Sequence, residues 1–169
     1  MKQCTIFDEK SPSSGTHKDQ WVLSVDGAAR NNPGPAGAGI VLMKNNALLR
    51  KEGFFLGKKT NNQAEYLALL VGLFFARQYM QPADHLLIIS DSLLLVRQVQ
   101  GVFKIRNRHL QEYHTLARSL MTGIHAHIEH VLREKNEEAD AMANEGIDHG
   151  IQLPEQFIQF LHQHAIMFV

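Results

Sequence analysis

The chain has a single cysteine, Cys4, and no excess of charge of either sign. A lone thiol excludes an intrachain disulfide and suits a reducing compartment. Seventeen basic against seventeen acidic side chains leave no global pull towards a polyanion. Any contact with nucleic acid therefore has to come from a local patch. Long apolar runs are missing as well. The N-terminus lacks the h-region of a secretory signal. The longest apolar stretch, Tyr66 to Ala76, is far short of a bilayer span. These absences predict a soluble, cytoplasmic protein with no membrane partner.

What is present suits one ordinary domain. The 169 residues are 44% hydrophobic, enough for a real core. Residues 1–20 are polar around Ser-Pro-Ser-Ser-Gly and read as a flexible arm. Residues 21–150 carry the regular patterns of a folded domain. Residues 151–169 form an extension in which Leu153, Phe157, Phe160, Leu161 and His164 recur at helical spacing. That amphipathic stripe is expected to dock on the domain or on a second copy, so self-association is one expectation.

Within the domain, Trp21 to Ala28 alternates as a strand. Asn31 to Gly39 holds two prolines and three glycines and is expected to turn. Gly39 to Lys44 and Leu48 to Phe55 flank Asn45-Asn46 as a hairpin. Thr60-Asn61-Asn62-Gln63 fits a capping box and predicts a helix from Asn61 to Tyr79, apolar on most faces and so largely buried. Leu86 to Ser90 reads as a buried strand, and Ser92 to Val99 and Asn107 to Met121 as helices. Ala126 to Leu132 is a further strand and Asn136 to Ile147 a further helix. This order predicts an α/β fold: a mixed five-stranded sheet, three antiparallel strands then parallel additions, flanked by helices.

Four carboxylates stand at strand ends or helix starts. Asp26 lies in Ser-Val-Asp-Gly-Ala-Ala-Arg, where a strand holds it rigidly and Gly27 leaves room beside it; a turn acid at a strand end is the plainer reading. The following Asn31-Asn32-Pro33-Gly34-Pro35 offers amide donors and acceptors and a backbone open to close approach. Glu65 sits in the first turns of the long helix, where the dipole alone favours an acid. The preceding Thr-Asn-Asn and the free N–H groups of the helix start suit phosphate and base edges. Asp91 leaves a buried strand, the place where open α/β sheets bind ligands; a helix N-cap is the competing reading. Asp140 follows Arg133-Glu134-Lys135-Asn136-Glu137-Glu138-Ala139. A solvated acidic face is the default for such a run, but Ala141, Ala143 and Asn144 give it small neighbours that would let it face the sheet.

Together these peptides resemble the ribonuclease HI family of the ribonuclease H-like superfamily. The resemblance rests on Val25-Asp26-Gly27-Ala28 with Asn32-Pro33-Gly34, on Thr60 to Glu65, on Ser90-Asp91-Ser92 and on Arg133-Glu134-x-Asn136-x-x-Ala139-Asp140, across about residues 21 to 148. It implies a metal-dependent endonuclease that hydrolyses the RNA strand of RNA–DNA hybrids and leaves 5′-phosphate and 3′-hydroxyl ends. Asp26, Glu65, Asp91 and Asp140 would hold two Mg²⁺ or Mn²⁺ ions, with Asp26 bridging them. Substrate contacts would come from Asn32, Gly34, Thr60, Asn61, Asn62, Lys104, Arg133 and Asn136, reading 2′-hydroxyls and minor-groove shape. The competing expectation is a hybrid- or duplex-binding module on the same fold that does not cleave. It is disfavoured because a binding module has no use for four mutually repelling acids.

Two departures from the family pattern stand out. A basic helical protrusion is reduced to Gly101-Val102-Phe103-Lys104-Ile105-Arg106-Asn107-Arg108, a small basic patch or a solvated turn. The loop before the fourth acid is shortened to Leu132-Arg133-Glu134-Lys135 and holds no histidine; Arg133 takes that place by position. His130 reads as a structural histidine. His125 and His127 alternate on a strand without a third ligand in pattern and are not expected to bind metal.

Overall fold

In a computed structural model, which describes residues 18–169, β1 (Gln20–Ala29), β2 (Gly34–Lys44) and β3 (Ala47–Lys59) run antiparallel in succession. Helix α1 (Asn61–Tyr79) follows, then β4 (His85–Ser90), α2 (Leu93–Val99), α3 (Arg108–Met121), β5 (His125–His130), α4 (Glu137–His149) and α5 (Glu155–Gln163). The sheet order is β3-β2-β1-β4-β5, with β4 parallel to both β1 and β5. The predicted mixed sheet and its helices are therefore present in the predicted order. The seventeen residues before Lys18 (most of the predicted arm, with Cys4) lie outside the described residues.

The two faces of the sheet are covered differently, because strand residues alternate in direction. Leu23 and Val25 point towards α1, whose Gly72 rests against the Leu23 side chain. Leu67, Leu69, Leu70 and Leu73 are fully buried, as the uniformly apolar sequence of α1 requires. Its N-terminus carries the predicted capping box: Gln63 N–H donates to Thr60 Oγ1 at 3.2 Å, and Thr60 N–H donates to Gln63 Oε1 at 3.0 Å.

On the opposite face α4 lies directly on β2 and β3. This explains a difference from the sequence reading. The expected turn over Asn31 to Gly39 is confined to the residues before Gly34, and β2 already runs from Gly34. Pro35 is tolerated near the strand start, where its carbonyl accepts from Arg30 N–H at 2.8 Å and a missing N–H costs little. The glycines serve packing. A Cβ on Gly39 would overlap the Ala139 carbonyl, one on Gly37 the Ala143 carbonyl, and one on Gly53 the Met142 carbonyl. The helix answers with Ala139, Ala143 and Gly146, all buried. Of the small residues expected to let Asp140 face the sheet, Ala143 is buried and Ala141 is exposed.

The C-terminal stripe docks within the chain. Phe157 and Leu161 are fully buried, and the Phe157 and Phe160 rings each lie 5.3 Å from that of Phe74 on α1. Among the described residues no helix is long and apolar enough to cross a membrane.

Candidate metal and nucleic-acid site

β1 and β4 are parallel neighbours, so their C-terminal ends open on the same edge of the sheet. Asp26 lies near the end of β1 and Asp91 just beyond β4. Gly27 is what brings α1 to that edge. It does not leave open space, as the sequence implied: a Cβ there would collide with the backbone of Ala64 and Glu65. With glycine, the Gly27 N–H reaches Glu65 Oε2 at 3.2 Å and fixes that carboxylate beside Asp26. The capping alternative for Asp91 is removed by its neighbour, since Ser92 is the N-cap of α2 and accepts from Leu95 N–H at 3.3 Å. Asp140, in the first turn of α4, completes the ring.

One carboxylate oxygen from each of Asp26, Glu65 and Asp91 lies within 4.8 Å of the others, and Asp140 lines the same cleft. These are hard oxygen donors, the set that Mg²⁺ and Mn²⁺ prefer. The cleft around them is lined by Asp26, Glu65, Asn61, Asp91, Arg133 and Asp140 and measures about 330 Å³. Among the described residues His125 and His127 join no group able to share an ion; His127 faces Glu129 at 3.1 Å on an edge strand.

Burial and crowding act together on the acids. Asp26 is 5% exposed, and loss of water, reinforced by Asp91 and Asp140, pushes its carboxyl up to about 8. Glu65 is raised well above the usual carboxylate range, first by desolvation and then by Asp26 and Asp91. A fixed divalent cation would remove the repulsion that raises them.

This has a measurable consequence for the metal-free protein. Unfolded Asp26 ionises near its ordinary value of 3.8, whereas folded Asp26 keeps its proton to about 8. Between those values the native state binds more protons than the unfolded state, so stability falls as pH rises and levels off outside the window. The expected slope is about 1.4 kcal/mol per pH unit for each proton retained. Urea midpoints in chelator from pH 4 to pH 8 test this. A pH-independent midpoint would contradict the crowding of the acids, and millimolar Mn²⁺ should flatten the dependence.

The other predicted site residues are placed unevenly. Asn61 Oδ1 accepts from Ala29 N–H and Asn32 Oδ1 from Asn61 N–H, both at 3.0 Å, so these two oxygens lock the β1–β2 turn to the start of α1. Asn62 is exposed next to them. The Thr60 hydroxyl is engaged by Gln63 in the capping box. Gly34 lets the chain fold back, since a Cβ would overlap the Arg30 carbonyl oxygen. Arg133, in a short 3-10 turn, reaches Asp140 Oδ1 at 3.3 Å and lines the cleft. Lys104 is exposed in the α2–α3 loop and is not among the residues lining the cleft. Asn136 is buried, not on the cleft wall. Two neighbours were named in the sequence but not as site residues. Ser92 lines the cleft, and His130 Nε2 lies 3.2 Å from the Asp91 carbonyl oxygen. Nothing in a single sequence marks a contact across 39 positions.

Comparison with known proteins agrees with this geometry. Residues 24–146 match the family model described as reverse transcriptase-like. The chain is 40% identical over 125 residues to a protein named ribonuclease HI from Halobacterium salinarum, covering 73% of this chain and 62% of that protein. It is 31% identical over 147 residues to a ribonuclease H of Coxiella burnetii, covering 75% of this chain and 88% of that one. The crystal structure of RNase H1 from Halobacterium salinarum superposes with a TM-score of 0.72 at 37% identity, over 77% of this chain and 98% of that one. LC11-RNase H1, solved in complex with an RNA/DNA hybrid, superposes with a TM-score of 0.69 at 34% identity, over 76% and 97% of the two chains. The chain spans less than two thirds of the archaeal relative's length, and 36% of a bifunctional protein of Mycobacterium tuberculosis that it also matches.

Proposed function

Because the chain belongs to the ribonuclease H family, we propose that it hydrolyses the RNA strand of RNA–DNA hybrids with the help of two divalent cations, Mg²⁺ or Mn²⁺, leaving 5′-phosphate and 3′-hydroxyl ends. The observation that carries this reading is the meeting of Asp26, Glu65 and Asp91 at one sheet edge, with Asp140 across from them. Four raised or crowded acids are a cost to the fold that a bound cation offsets. When bound, such ions supply Lewis-acid charge for an in-line displacement at phosphorus.

The chain's own residues have distinct parts. Asp26, the least exposed of the four, would be the residue shared between the cations. Glu65 is held by the Gly27 N–H, so its position does not depend on the metal. Arg133 pairs with Asp140 and brings a cation to the rim, where it can meet a phosphate. Asn62 and the free amide groups of Asn61 and Asn32 form an uncharged edge beside the acids. Donors and acceptors of that kind suit 2′-hydroxyls and minor-groove base edges. The complex of LC11-RNase H1 with a hybrid supports carrying the substrate class to this chain.

A labelled hybrid, an RNA duplex and single-stranded RNA, each with and without Mg²⁺ or Mn²⁺, test the proposal. The expected result is metal-dependent cleavage of the RNA strand of the hybrid alone. Binding without turnover at any metal concentration would favour the non-cleaving module. Replacing Asn61 and Asn62 together by Ala is expected to raise KM for the hybrid roughly tenfold, since each lost hydrogen bond is worth about 0.5–1.5 kcal/mol. An unchanged KM for that variant would remove both residues from the interface.

A further inference from the structure

Asn136 is 2% exposed and does not line the acidic cleft, yet its side chain touches the machinery from behind. Its Nδ2 donates to the Val25 carbonyl oxygen at 2.9 Å and to Asp91 Oδ1 at 3.3 Å. Its backbone carbonyl accepts from Asp140 N–H at 3.1 Å. Val25 immediately precedes Asp26. One residue thus joins the three segments that carry Asp26, Asp91 and Asp140, across 111 and 45 positions of sequence.

The orientation of the amide follows from chemistry. Both groups facing Nδ2 are acceptors, a carbonyl and a carboxylate, so the amide oxygen cannot take its place without setting acceptors against each other. Oδ1 is accordingly left buried with no hydrogen-bond partner among the described residues. An unsatisfied buried acceptor is unfavourable, and an apolar residue of similar size would avoid it. What the amide alone provides is a donor to both the Val25 carbonyl, next to Asp26, and the Asp91 carboxylate. The His130 ring, on the Asp91 carbonyl oxygen, restrains the same residue through its backbone.

We propose that Asn136 is a positioning residue: it fixes the Asp91 carboxylate relative to Asp26 and so sets the geometry in which the acids receive cations, without touching substrate. This rests on the nuclease reading above. It reassigns a residue that the family resemblance placed at the substrate. Partners that orient metal-binding groups commonly change metal affinity or activity 10–100-fold when removed.

The test is calorimetric titration of the folded protein with Mn²⁺ in the absence of nucleic acid, alongside kcat and KM for a hybrid. Asn136→Ala is expected to weaken Mn²⁺ binding by about tenfold and lower kcat comparably, with KM unchanged. Asn136→Asp keeps the size and an acceptor but loses the donor, and is read in the same titration should the alanine variant fail to fold. Equal or greater loss is expected from it. Mn²⁺ affinity within twofold of the parent protein in either folded variant would overturn the assignment. So would an increase in KM at unchanged Mn²⁺ affinity, which would mean direct substrate contact. A parent protein that neither binds Mn²⁺ nor cleaves would instead remove the nuclease reading, and this inference with it.

Discussion

Asp91→Asn is expected to lower metal-dependent cleavage of the hybrid by about 1,000-fold or more, equivalent to roughly 4 kcal/mol of transition-state stabilisation. The substitution keeps the size of the side chain and removes its charge. Asp91 lies beyond β4, where its carboxylate meets those of Asp26 and Glu65, so the loss falls on the cation-binding set itself. Fold and hybrid binding should survive, because the N-cap of α2 is Ser92 and not Asp91. Stability in chelator should in fact rise: one of the charges that raise Asp26 is gone, and the folded state is relieved of like-charge repulsion. The melting-temperature increase produced by Mn²⁺ in the parent should shrink in parallel. Asp148→Asn, at the exposed pair with Arg30, serves as control and should change little. Retained turnover in Asp91→Asn, or lost hybrid binding with normal turnover, would contradict the site assignment.

Gly39→Ala is expected to destabilise the protein by about 3 kcal/mol, although it adds a single methyl group. In a domain of this size that corresponds to a fall in melting temperature of roughly 6–12 °C. The cause is contact between backbones. The added Cβ would overlap the Ala139 carbonyl oxygen and crowd the Ala143 N–H at 2.5 Å, and neither can move without shifting α4. The effect reaches the site, because α4 carries Asp140 and begins just after Asn136. Activity per folded molecule should therefore fall as well. Gly101→Ala separates steric from conformational cost. Gly101 has φ +79° with nothing near its missing Cβ, so alanine there should cost only about 1 kcal/mol and leave activity intact. Thermal melts and turnover of the two variants side by side give the answer. Equal losses would mean that α4 does not rest on this glycine.

The order of strands and helices could be read from the sequence because its determinants are local, whereas Asp26, Glu65, Asp91 and Asp140 stood out only through the family resemblance of the peptides that carry them. A capping box is complete within Thr60 to Gln63, and an apolar run such as Leu86 to Ser90 identifies a buried strand by itself. The β2 glycines were misread because turn-forming and close-packing glycines look alike until the partner is known, and here the partner is a helix about a hundred residues later. The same reason explains the amides. Asn61, Asn32 and Asn136 all read as polar groups available to a ligand. Folding commits the oxygens of Asn61 and Asn32 to a turn lock, and the Asn136 amide to Val25 and Asp91.

By itself, the sequence determined which groups could bear charge and which segments had to be strand or helix, since those are properties of side chains and their near neighbours. Only the tertiary structure decided that the acids meet at one partly buried end of the sheet and that Asp26 holds its proton far above the ordinary range. Desolvation and Coulomb repulsion depend on distance in space, and a linear chain does not contain that distance.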